Sequence, residues 1–331
     1  MIDIFKKFTQ LNVVIVGDVM IDRYLHGKVS RISPEAPVPV VELQRTEDRL
    51  GGAANVALNI KAMGATPYLF SAIGSDTEGS LFLQIMENNK LSIRGLLQIE
   101  DRPTTVKTRI MAGTQQMLRV DSEVTSDLSA YNQRVFMQRL QAFLREIKAD
   151  VLIFQDYNKG VLSLEMIQNV MKEALKRQIP TTVDPKHTHF LDYQHATLFK
   201  PNLKEIREAV DFEVKPELKS LERAAKFLRN KLNNRLTMIT LSEKGLFLSS
   251  DTEGSQIYPI QPRQIADVSG AGDTVISIAS LCLAAGTDER TLALLSNLAG
   301  SQVCELAGVV PVNKAQLKRE FEALNEVLKK F

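Results

Sequence analysis

Between residues 129 and 241 the chain alternates segments of helical length with short runs rich in β-branched and apolar residues. The short runs predict strands at 151–155, 181–184, 197–200 and 236–241. The longer segments predict helices at 129–147, 163–176, 203–210 and 216–230. Strands that alternate with helices form a sheet covered on both faces, so this pattern favours an α/β fold with a mostly parallel central sheet and flanking helices.

The regions on either side continue the same pattern. They predict strands at 12–16 and 66–73, helices at 77–89, 271–285 and 288–307, and a hairpin of 245–249 with 255–260. Gly51 and Gly52 open a further helix of small residues, which Gly64 ends.

Two other β segments interrupt the alternation. Residues 36–44 contain two prolines, which cannot donate to a strand ladder and therefore favour an edge strand. Residues 104–120 predict a hairpin that turns near Gly113. We expect both segments to form a small β lid, inserted in a single domain that spans residues 1–331.

Composition and charge exclude some classes of function. The chain has 41 Lys and Arg against 39 Asp and Glu, a net charge of +2, so neither nucleic acid nor a membrane is an expected partner. The sequence contains no run of about 18 apolar residues, so no membrane span is predicted. Its first residues do not resemble a signal peptide. Cys282 and Cys304 lie in apolar segments and are expected to be reduced core residues. The sequence therefore predicts a cytoplasmic protein.

One glycine-rich segment, Asp267-Val-Ser-Gly-Ala-Gly-Asp273, stands directly before an apolar helix. Glycines let the backbone approach a ligand closely, and the free N–H groups of a helix start bind anions. A carboxylate beside an anion site suits phosphoryl transfer to an alcohol, because the alcohol must lose a proton. The alternative is an ordinary glycine-rich turn in which Asp273 caps the helix.

Four motifs together resemble those of the ribokinase-like (PfkB) carbohydrate kinases. They are the segment from Asp267 to Asp273, Gly51-Gly-Ala-Ala-Asn55, Lys200-Pro-Asn-Leu-Lys-Glu205 and Thr240-Leu-Ser-Glu-Lys-Gly245. Their order and spacing agree over almost the whole chain. The resemblance implies a ribokinase-like fold with a β lid, and ATP-dependent phosphorylation of a sugar hydroxyl with Mg²⁺ on the phosphates. It also implies a monovalent cation, such as K⁺, beside the anion site.

Longer stretches resemble one subgroup of that family, the kinases that phosphorylate the C1 hydroxyl of D-glycero-β-D-manno-heptose 7-phosphate. These stretches are 17–24, 29–40, 49–55, 155–160 and 183–186. The resemblance implies a role in the synthesis of ADP-heptose for lipopolysaccharide. A nucleotidylyltransferase is implied as a fused or separate partner, and a homodimer is implied through the lid.

The resemblance assigns roles on the nucleotide side. Asp273 would accept the proton of the sugar hydroxyl, while backbone N–H groups of Gly270, Ala271 and Gly272 would hold the transferring phosphoryl group. Further nucleotide contacts are implied for Asn202, Leu203, Lys204, Glu205, Ser242, Lys244, Gly245 and Asn297. Glu205 would hold Mg²⁺ through water, and Asp267 and Ser269 would lie near the monovalent cation.

Some of these residues have a plainer interpretation. Asn202 and Glu205 also fit a capping box, residues 242–245 fit a tight hairpin turn, and Asn297 fits the surface of a helix.

On the sugar side, contacts with the substrate are implied for Asp18, Asp22, Gly51, Gly52, Asn55 and Asp156. The phosphate that the sugar already carries needs cations, for which the candidates are Arg31, Lys107, Arg109, Lys159 and Lys186. Each of these fits equally well as a solvated surface charge. Ala53 stands where ribokinase itself has a lysine, which argues against ribose as the substrate. His187 and His189 have no third ligand nearby and predict no zinc site.

Two other functions fit the same motifs. One is a kinase of the same family that acts on another sugar, sugar phosphate or nucleoside. The other is a non-catalytic sensor of sugars or nucleotides on the same fold, against which the intact Gly270–Asp273 segment argues. No Gly-x-Gly-x-x-Gly follows the first strand, so a nicotinamide-dependent dehydrogenase is not expected.

Overall fold

The structure is a computed structural model that describes residues 4–113, 115–260 and 263–328. In chain order, the strands are β1 (Asn12–Gly17), β2 (Val19–Ile32), β3 (Pro39–Gly52), β4 (Thr66–Gly74), β5 (Gly95–Ile99), β6 (Val106–Ala112), β7 (Gln115–Ser122), β8 (Val151–Gln155), β9 (Thr181–Asp184), β10 (Leu198–Phe199), β11 (Leu236–Thr240), β12 (Leu246–Ser250) and β13 (Gly254–Tyr258). The helices are α1 (Ile4–Phe8), α2 (Ala53–Ala62), α3 (Thr77–Asn88), α4 (Ala130–Glu146), α5 (Leu164–Lys176), α6 (Leu203–Ala209), α7 (Leu218–Leu232), α8 (Ala271–Ala284), α9 (Glu289–Val303) and α10 (Lys314–Leu328).

The central sheet has nine strands in the order β13-β12-β11-β10-β9-β8-β1-β4-β5. Neighbours from β5 to β11 are parallel, and β12 and β13 continue the sheet as an antiparallel hairpin. The prediction of a mostly parallel sheet is confirmed. Because parallel strands end at the same edge, the segments that follow β1, β8, β9 and β10 are brought side by side.

Helices cover both faces of this sheet, as β1 shows. Val13 and Ile15 pack into the apolar cluster that includes α2, α8 and α9. Val14 and Val16 point to the opposite cluster, which includes α4, α5 and α7. Successive side chains of a strand point to opposite faces, so a run of four buried apolar residues is what a strand between two helical layers requires.

The lid is a separate four-stranded sheet in the order β3-β2-β6-β7. The predicted hairpin that turns near Gly113 is confirmed by β6 and β7. The segment predicted at 36–44 overlaps only the start of β3, which runs to Gly52, and its partner β2 was not predicted. The sequence of β2 mixes charged and apolar residues because only its first half is buried, so it has no regular alternation.

Three other elements were missed, namely β5 and the two terminal helices, α1 and α10. Both cysteines are free, as expected, but only Cys282 is buried and Cys304 is half-buried. None of the helices in the described part of the chain combines the length and apolarity that a membrane span requires.

Candidate active site

The start of α8 forms the centre of the site. Gly270 precedes the helix with a φ of 79°, in the left-handed region, and a Cβ there would lie 2.8 Å from Asn55 Nδ2. Glycine is therefore required by both conformation and space. The N–H of Ala271 donates to the carbonyl of Val268 at 3.3 Å. In the first helical turn, the N–H groups of Gly272 and Asp273 lack helical partners and are available to an anion. The predicted anion site at 270–272 stays a prediction.

The carboxylate of Asp273 is buried and receives three hydrogen bonds. Asn55 Nδ2 donates to Oδ2 at 2.8 Å. Gln155 Nε2 and the Tyr157 hydroxyl donate to Oδ1 at 3.0 Å and 2.7 Å. Burial raises the pKa of Asp273 to about 6, although the hydrogen bonds from Asn55 and Tyr157 act in the opposite direction. The group is thus ionised at neutral pH and able to accept a proton.

A buried ion pair lies next to this carboxylate. Lys200 Nζ is 3.0 Å from Asp184 Oδ1, and Gln155 Nε2 donates to Asp184 Oδ2 at 3.2 Å. A Cβ on Gly272 would lie 3.7 Å from both Asp184 Oδ2 and Lys200 Nζ. The pair therefore faces the anion site.

Sequence analysis assigned no role to Gln155, Tyr157, Asp184 or Lys200. Their position could have pointed to them, because they stand at or just after the ends of β8, β9 and β10. These three strands are adjacent in the sheet. That these residues lie close together follows from the order of the strands, which cannot be read from the sequence.

The raised pKa of Asp273 predicts how activity depends on pH. Only the ionised carboxylate can accept a proton, and this form disappears as the pH falls through about 6. Below that value we expect kcat/KM for the sugar to fall about tenfold per pH unit. Initial rates between pH 5 and pH 8, with saturating nucleotide and a check that the protein stays folded, would measure this. A kcat/KM that is constant down to pH 5 would contradict the assignment.

A cleft of about 530 Å³ lies on one side of the α8 start. Of the predicted nucleotide contacts, it is lined by Ser242, Gly245, Ala271, Gly272 and Asn297. Apolar residues that were not predicted complete the lining, among them Ile260, Ile265, Val268 and Val275. Asn297 lines this cleft, and its Nδ2 donates to the carbonyls of Tyr258 and Pro259, which holds the cleft wall.

Two predicted lysines lie outside this cleft. Lys204 is exposed and pairs with Glu208 one helical turn away, at 3.7 Å. Lys244 is exposed in the turn after β11 and does not line the cleft. The motif placed these residues near the site, but their side chains point to solvent. Leu203 packs against the apolar core instead of the nucleotide cleft.

Asn202 and Glu205 form the capping box that their spacing predicts. Asn202 Oδ1 accepts from the N–H of Glu205 at 2.9 Å, and Glu205 Oε2 accepts from the N–H of Asn202 at 2.8 Å. The other oxygen of Glu205 pairs with Lys186 Nζ at 2.5 Å. This carboxylate therefore positions a lysine beside the site as well as capping α6.

The carboxylates near the site suit a magnesium ion that is carried by the nucleotide. No group of three or more metal-binding side chains occurs among the residues that the structure describes. Magnesium in phosphoryl-transfer sites keeps several waters and needs only one or two protein carboxylates. Glu205 is compatible with such a contact through water.

Asp18 and Asp156 hold a loop in place. The oxygens of Asp18 accept the backbone N–H groups of Tyr157, Lys159 and Val161 at 2.9–3.1 Å. Asp156 accepts the Tyr193 hydroxyl and the N–H of Asn158, each at 2.8 Å. Both carboxylates are only 1 % exposed. Both side chains thus hold the loop after β8, and their predicted contacts with sugar hydroxyls stay a prediction.

Asp22, Gly51 and Asn55 come together at the base of the lid. Asp22 Oδ1 pairs with Arg109 Nη1 at 2.5 Å. A Cβ on Gly51 would lie 2.2 Å from Asp22 Oδ2, so glycine is needed there. Gly52 has a φ of 61° and leads directly into α2, which carries Asn55. Of these predicted sugar-side residues, Asn55 contacts Asp273, and Asp22 and Gly51 contact each other at the base of the lid.

The predicted cations differ in what surrounds them. Arg31 is exposed in the outer half of β2, beyond the part that pairs with β6. Lys159 pairs with Glu123 at 2.6 Å. Lys107 has no ion pair within the described ranges, and its Nζ lies 5.6 Å from the centre of the Tyr157 ring. Burial, and next the charge of Lys159, lower the pKa of Lys107.

Asp267 lies at the entrance to the glycine-rich turn. Its oxygens accept the N–H groups of Ser269 and Gly308, each at 2.9 Å. Burial alone would raise the pKa of Asp267, but these hydrogen bonds outweigh it and lower the pKa. The side chain is therefore a fixed negative charge that braces the turn from Ser269 to Asp273.

The α/β fold, the helix-start anion site and the adjacent carboxylate define a kinase that transfers a phosphoryl group to a hydroxyl. The chain belongs to the pfkB family of carbohydrate kinases, whose model matches residues 10–315. It is an ATP-dependent sugar kinase.

Curated relatives of this chain include proteins described as "Bifunctional protein HldE". The chain is 38 % identical over 312 residues to the one from Magnetococcus marinus and 39 % identical over 311 residues to the one from Methylobacillus flagellatus. Each alignment covers 94 % of this chain but only 64 % and 63 % of the two relatives. The chain therefore spans just under two thirds of their length.

Solved structures confirm the ribokinase-like fold. Phosphofructokinase-2 from Escherichia coli, in complex with potassium, matches with a TM-score of 0.77 at 17 % identity, covering 95 % of this chain and 99 % of that one. Arabidopsis thaliana ribokinase, complexed with ribose and ATP, matches with a TM-score of 0.71 at 17 % identity, covering 93 % and 97 %.

Proposed function

We propose that this kinase phosphorylates the C1 hydroxyl of D-glycero-β-D-manno-heptose 7-phosphate with ATP and releases the 1,7-bisphosphate. The observation that carries the proposal is the position of Asp273, which contacts Asn55 of the sugar side and follows Gly272 of the nucleotide cleft. The motif stretches shared with heptose 7-phosphate kinases and the similarity to HldE proteins support this choice of sugar.

The arrangement supports direct transfer. The terminal phosphoryl group of ATP lies at the N–H groups of Gly272 and Asp273, and the sugar hydroxyl points to Asp273. Its proton passes to the carboxylate as the sugar oxygen forms a bond to phosphorus, and the bond from phosphorus to the oxygen of ADP breaks. Bound Mg²⁺ supplies positive charge to the phosphates. Lys186 and Lys200, each held by a carboxylate, present ammonium hydrogen-bond donors beside the site.

The phosphate already present on the sugar requires a second cationic site. Lys107 suits this role because it is half-buried and forms no ion pair with a carboxylate among the described residues. Arg109 and Lys159 lie nearby but are each paired with a carboxylate. We assign the first contact with the 7-phosphate to Lys107, with Lys159 as its neighbour.

Replacing Lys107 with Met should raise KM for heptose 7-phosphate by about 10- to 100-fold, since a hydrogen bond to a charged group contributes about 1.5–3 kcal/mol. The KM for ATP should stay near the wild-type value. Steady-state kinetics with each substrate varied in turn would show this. Lys204→Met, which removes an exposed lysine of a neighbouring helix, is the control. Equal increases in both KM values would refute the assignment of Lys107.

The choice of substrate is tested by measuring ADP release with a panel of sugars. The panel contains heptose 7-phosphate, fructose 6-phosphate, ribose and a nucleoside. The proposal expects the highest kcat/KM for heptose 7-phosphate. A higher value for another compound would support a different kinase of the family, and binding of sugars with no ADP release would support a sensor.

The lid supports a homodimer. It exposes large apolar side chains outside the site, namely Ile32, Val38, Leu43, Met117, Leu118 and Val120. Ile32, Leu43 and Leu118 are each more than half exposed, at 60 %, 59 % and 56 %. Apolar residues along a sheet favour pairing with a second sheet. Sedimentation of the wild type and of Leu118→Lys would test dimer formation through this surface.

The wider role follows from the same resemblance. The bisphosphate product would feed the synthesis of ADP-heptose for lipopolysaccharide in the cytoplasm, with a nucleotidylyltransferase as a fused or separate partner. A monovalent cation near Asp267 and Ser269 is part of this proposal. The charged carboxylate of Asp267 and the potassium complex of the Escherichia coli phosphofructokinase-2 support it.

A further inference from the structure

The two oxygens of Asp273 are unequally occupied. Oδ1 accepts hydrogen bonds from both Gln155 and Tyr157, whereas within the described residues Oδ2 accepts one, from Asn55. A carboxylate has about four acceptor positions, two on each oxygen. Oδ1 is therefore filled, and the remaining position is on Oδ2, the oxygen that faces the sugar-side helix α2.

Tyr157 is held from three directions. Its backbone N–H donates to Asp18 Oδ2 at 2.9 Å. Its ring lies between two ammonium groups, with the Nζ atoms of Lys107 and Lys186 at 5.6 Å and 5.5 Å from the ring centre. Its hydroxyl donates to Asp273 Oδ1 at 2.7 Å. Burial, and next the charge of Asp273, raise the pKa of Tyr157, so the hydroxyl remains a donor.

We propose that Tyr157 is a positioning residue that fixes Asp273 through Oδ1 and thereby leaves Oδ2 as the atom that takes the substrate proton. Gln155 supports the same oxygen. This inference rests on the proposed role of Asp273 as the base. It adds which oxygen of Asp273 reacts and which side chain selects that oxygen. The loop that Asp18 holds carries Tyr157, so it would serve to place the Tyr157 hydroxyl.

Other charged groups also face the carboxylate. Asp184 and Lys200 lie at the ends of β9 and β10, and Lys186 follows β9. Asp184 raises and Lys200 lowers the pKa of Asp273. These groups are unchanged in a Tyr157→Phe variant, which removes one oxygen atom. Any change in the pH profile then reports the lost hydrogen bond.

The test compares two tyrosines whose hydroxyls each donate to a buried carboxylate. Tyr193 donates to Asp156 at 2.8 Å, just as Tyr157 donates to Asp273, and the pKa of each carboxylate is raised to about 6 by burial. Tyr157→Phe and Tyr193→Phe therefore each remove one hydroxyl that donates to a carboxylate; Tyr193 is fully buried, whereas Tyr157 is half-buried. Only the first should alter catalysis by Asp273.

For Tyr157→Phe we expect the acidic limb of kcat/KM to move up by about one to two pH units, because a hydrogen bond to a charged group is worth about 1.5–3 kcal/mol. At pH 6.5 this shift corresponds to a loss of about 3- to 25-fold, and the loss should largely disappear at pH 8.5. Tyr193→Phe should lower the unfolding temperature and leave the limb at its wild-type position.

Three results would overturn the inference. The first is an acidic limb of kcat/KM that stays at the wild-type pH in Tyr157→Phe. The second is a loss of activity in Tyr157→Phe that is the same at every pH. The third is a shift of the acidic limb in Tyr193→Phe instead. Thermal unfolding of both variants shows that each is folded. If Asp273→Asn kept full turnover, the proposed function would fail; if only the tyrosine result failed, the proposed function would stand.

Discussion

Replacing Asp273 with Asn should lower kcat by about 10²- to 10⁴-fold, the usual contribution of a general base. The amide has nearly the same shape but no tendency to accept the substrate proton. The nucleotide cleft lies on the other side of the α8 start, so affinity for ATP should remain within a few-fold of the wild type. Turnover by ADP release and ATP binding by calorimetry would separate the two effects.

Asp251→Asn is the matched control for Asp273→Asn. It removes a carboxylate that is largely exposed, pairs with Arg229 and does not line the nucleotide cleft. It should leave turnover unchanged. Full turnover of Asp273→Asn, or a loss of ATP binding that accounts for the whole effect, would contradict the role of Asp273.

Replacing Lys200 with Met should lower the free energy of unfolding by about 3–5 kcal/mol, because it leaves the charge of Asp184 buried without its partner. Lys200 is 2 % exposed and Asp184 is 5 % exposed, so water cannot compensate for the loss. Urea denaturation followed by circular dichroism would measure the change. Turnover should fall as well, since the ion pair borders the anion site.

Two further variants check the origin of that loss. The double variant Asp184→Asn with Lys200→Met should be more stable than Lys200→Met alone, because no unpaired charge remains. Lys204→Met removes an exposed lysine of similar size and should change stability by less than about 1 kcal/mol. Equal destabilisation by Lys200→Met and Lys204→Met would show that the buried ion pair is not responsible.

The alternation of strands and helices was sufficient to predict most of the central sheet. The glycine-rich segment was sufficient to single out Asp273 as a candidate proton acceptor. Both features are local, because each is set by residues that are neighbours in the sequence. Glycines at a helix start meet the needs of the backbone there, and the spacing of apolar residues follows the periodicity of one helix or strand. The lid was harder to predict, since β2 is buried only in its first half and lacks a regular pattern.

The surroundings of Asp273 were not predictable in the same way. Gln155, Tyr157, Asp184 and Lys200 come from separate segments that meet only through the order of parallel strands. Motif membership also says nothing about side-chain direction. Lys204 belongs to the same motif as Glu205 and points to solvent, whereas Glu205 is buried against Lys186.

The most direct test of the proposed reaction is ³¹P NMR of the product made from heptose 7-phosphate and ATP. We expect equal amounts of ADP and a sugar bisphosphate, with the phosphorus of the new phosphate coupled to the anomeric proton. A new phosphate on any other carbon, or ATP consumption without a sugar bisphosphate, would contradict it.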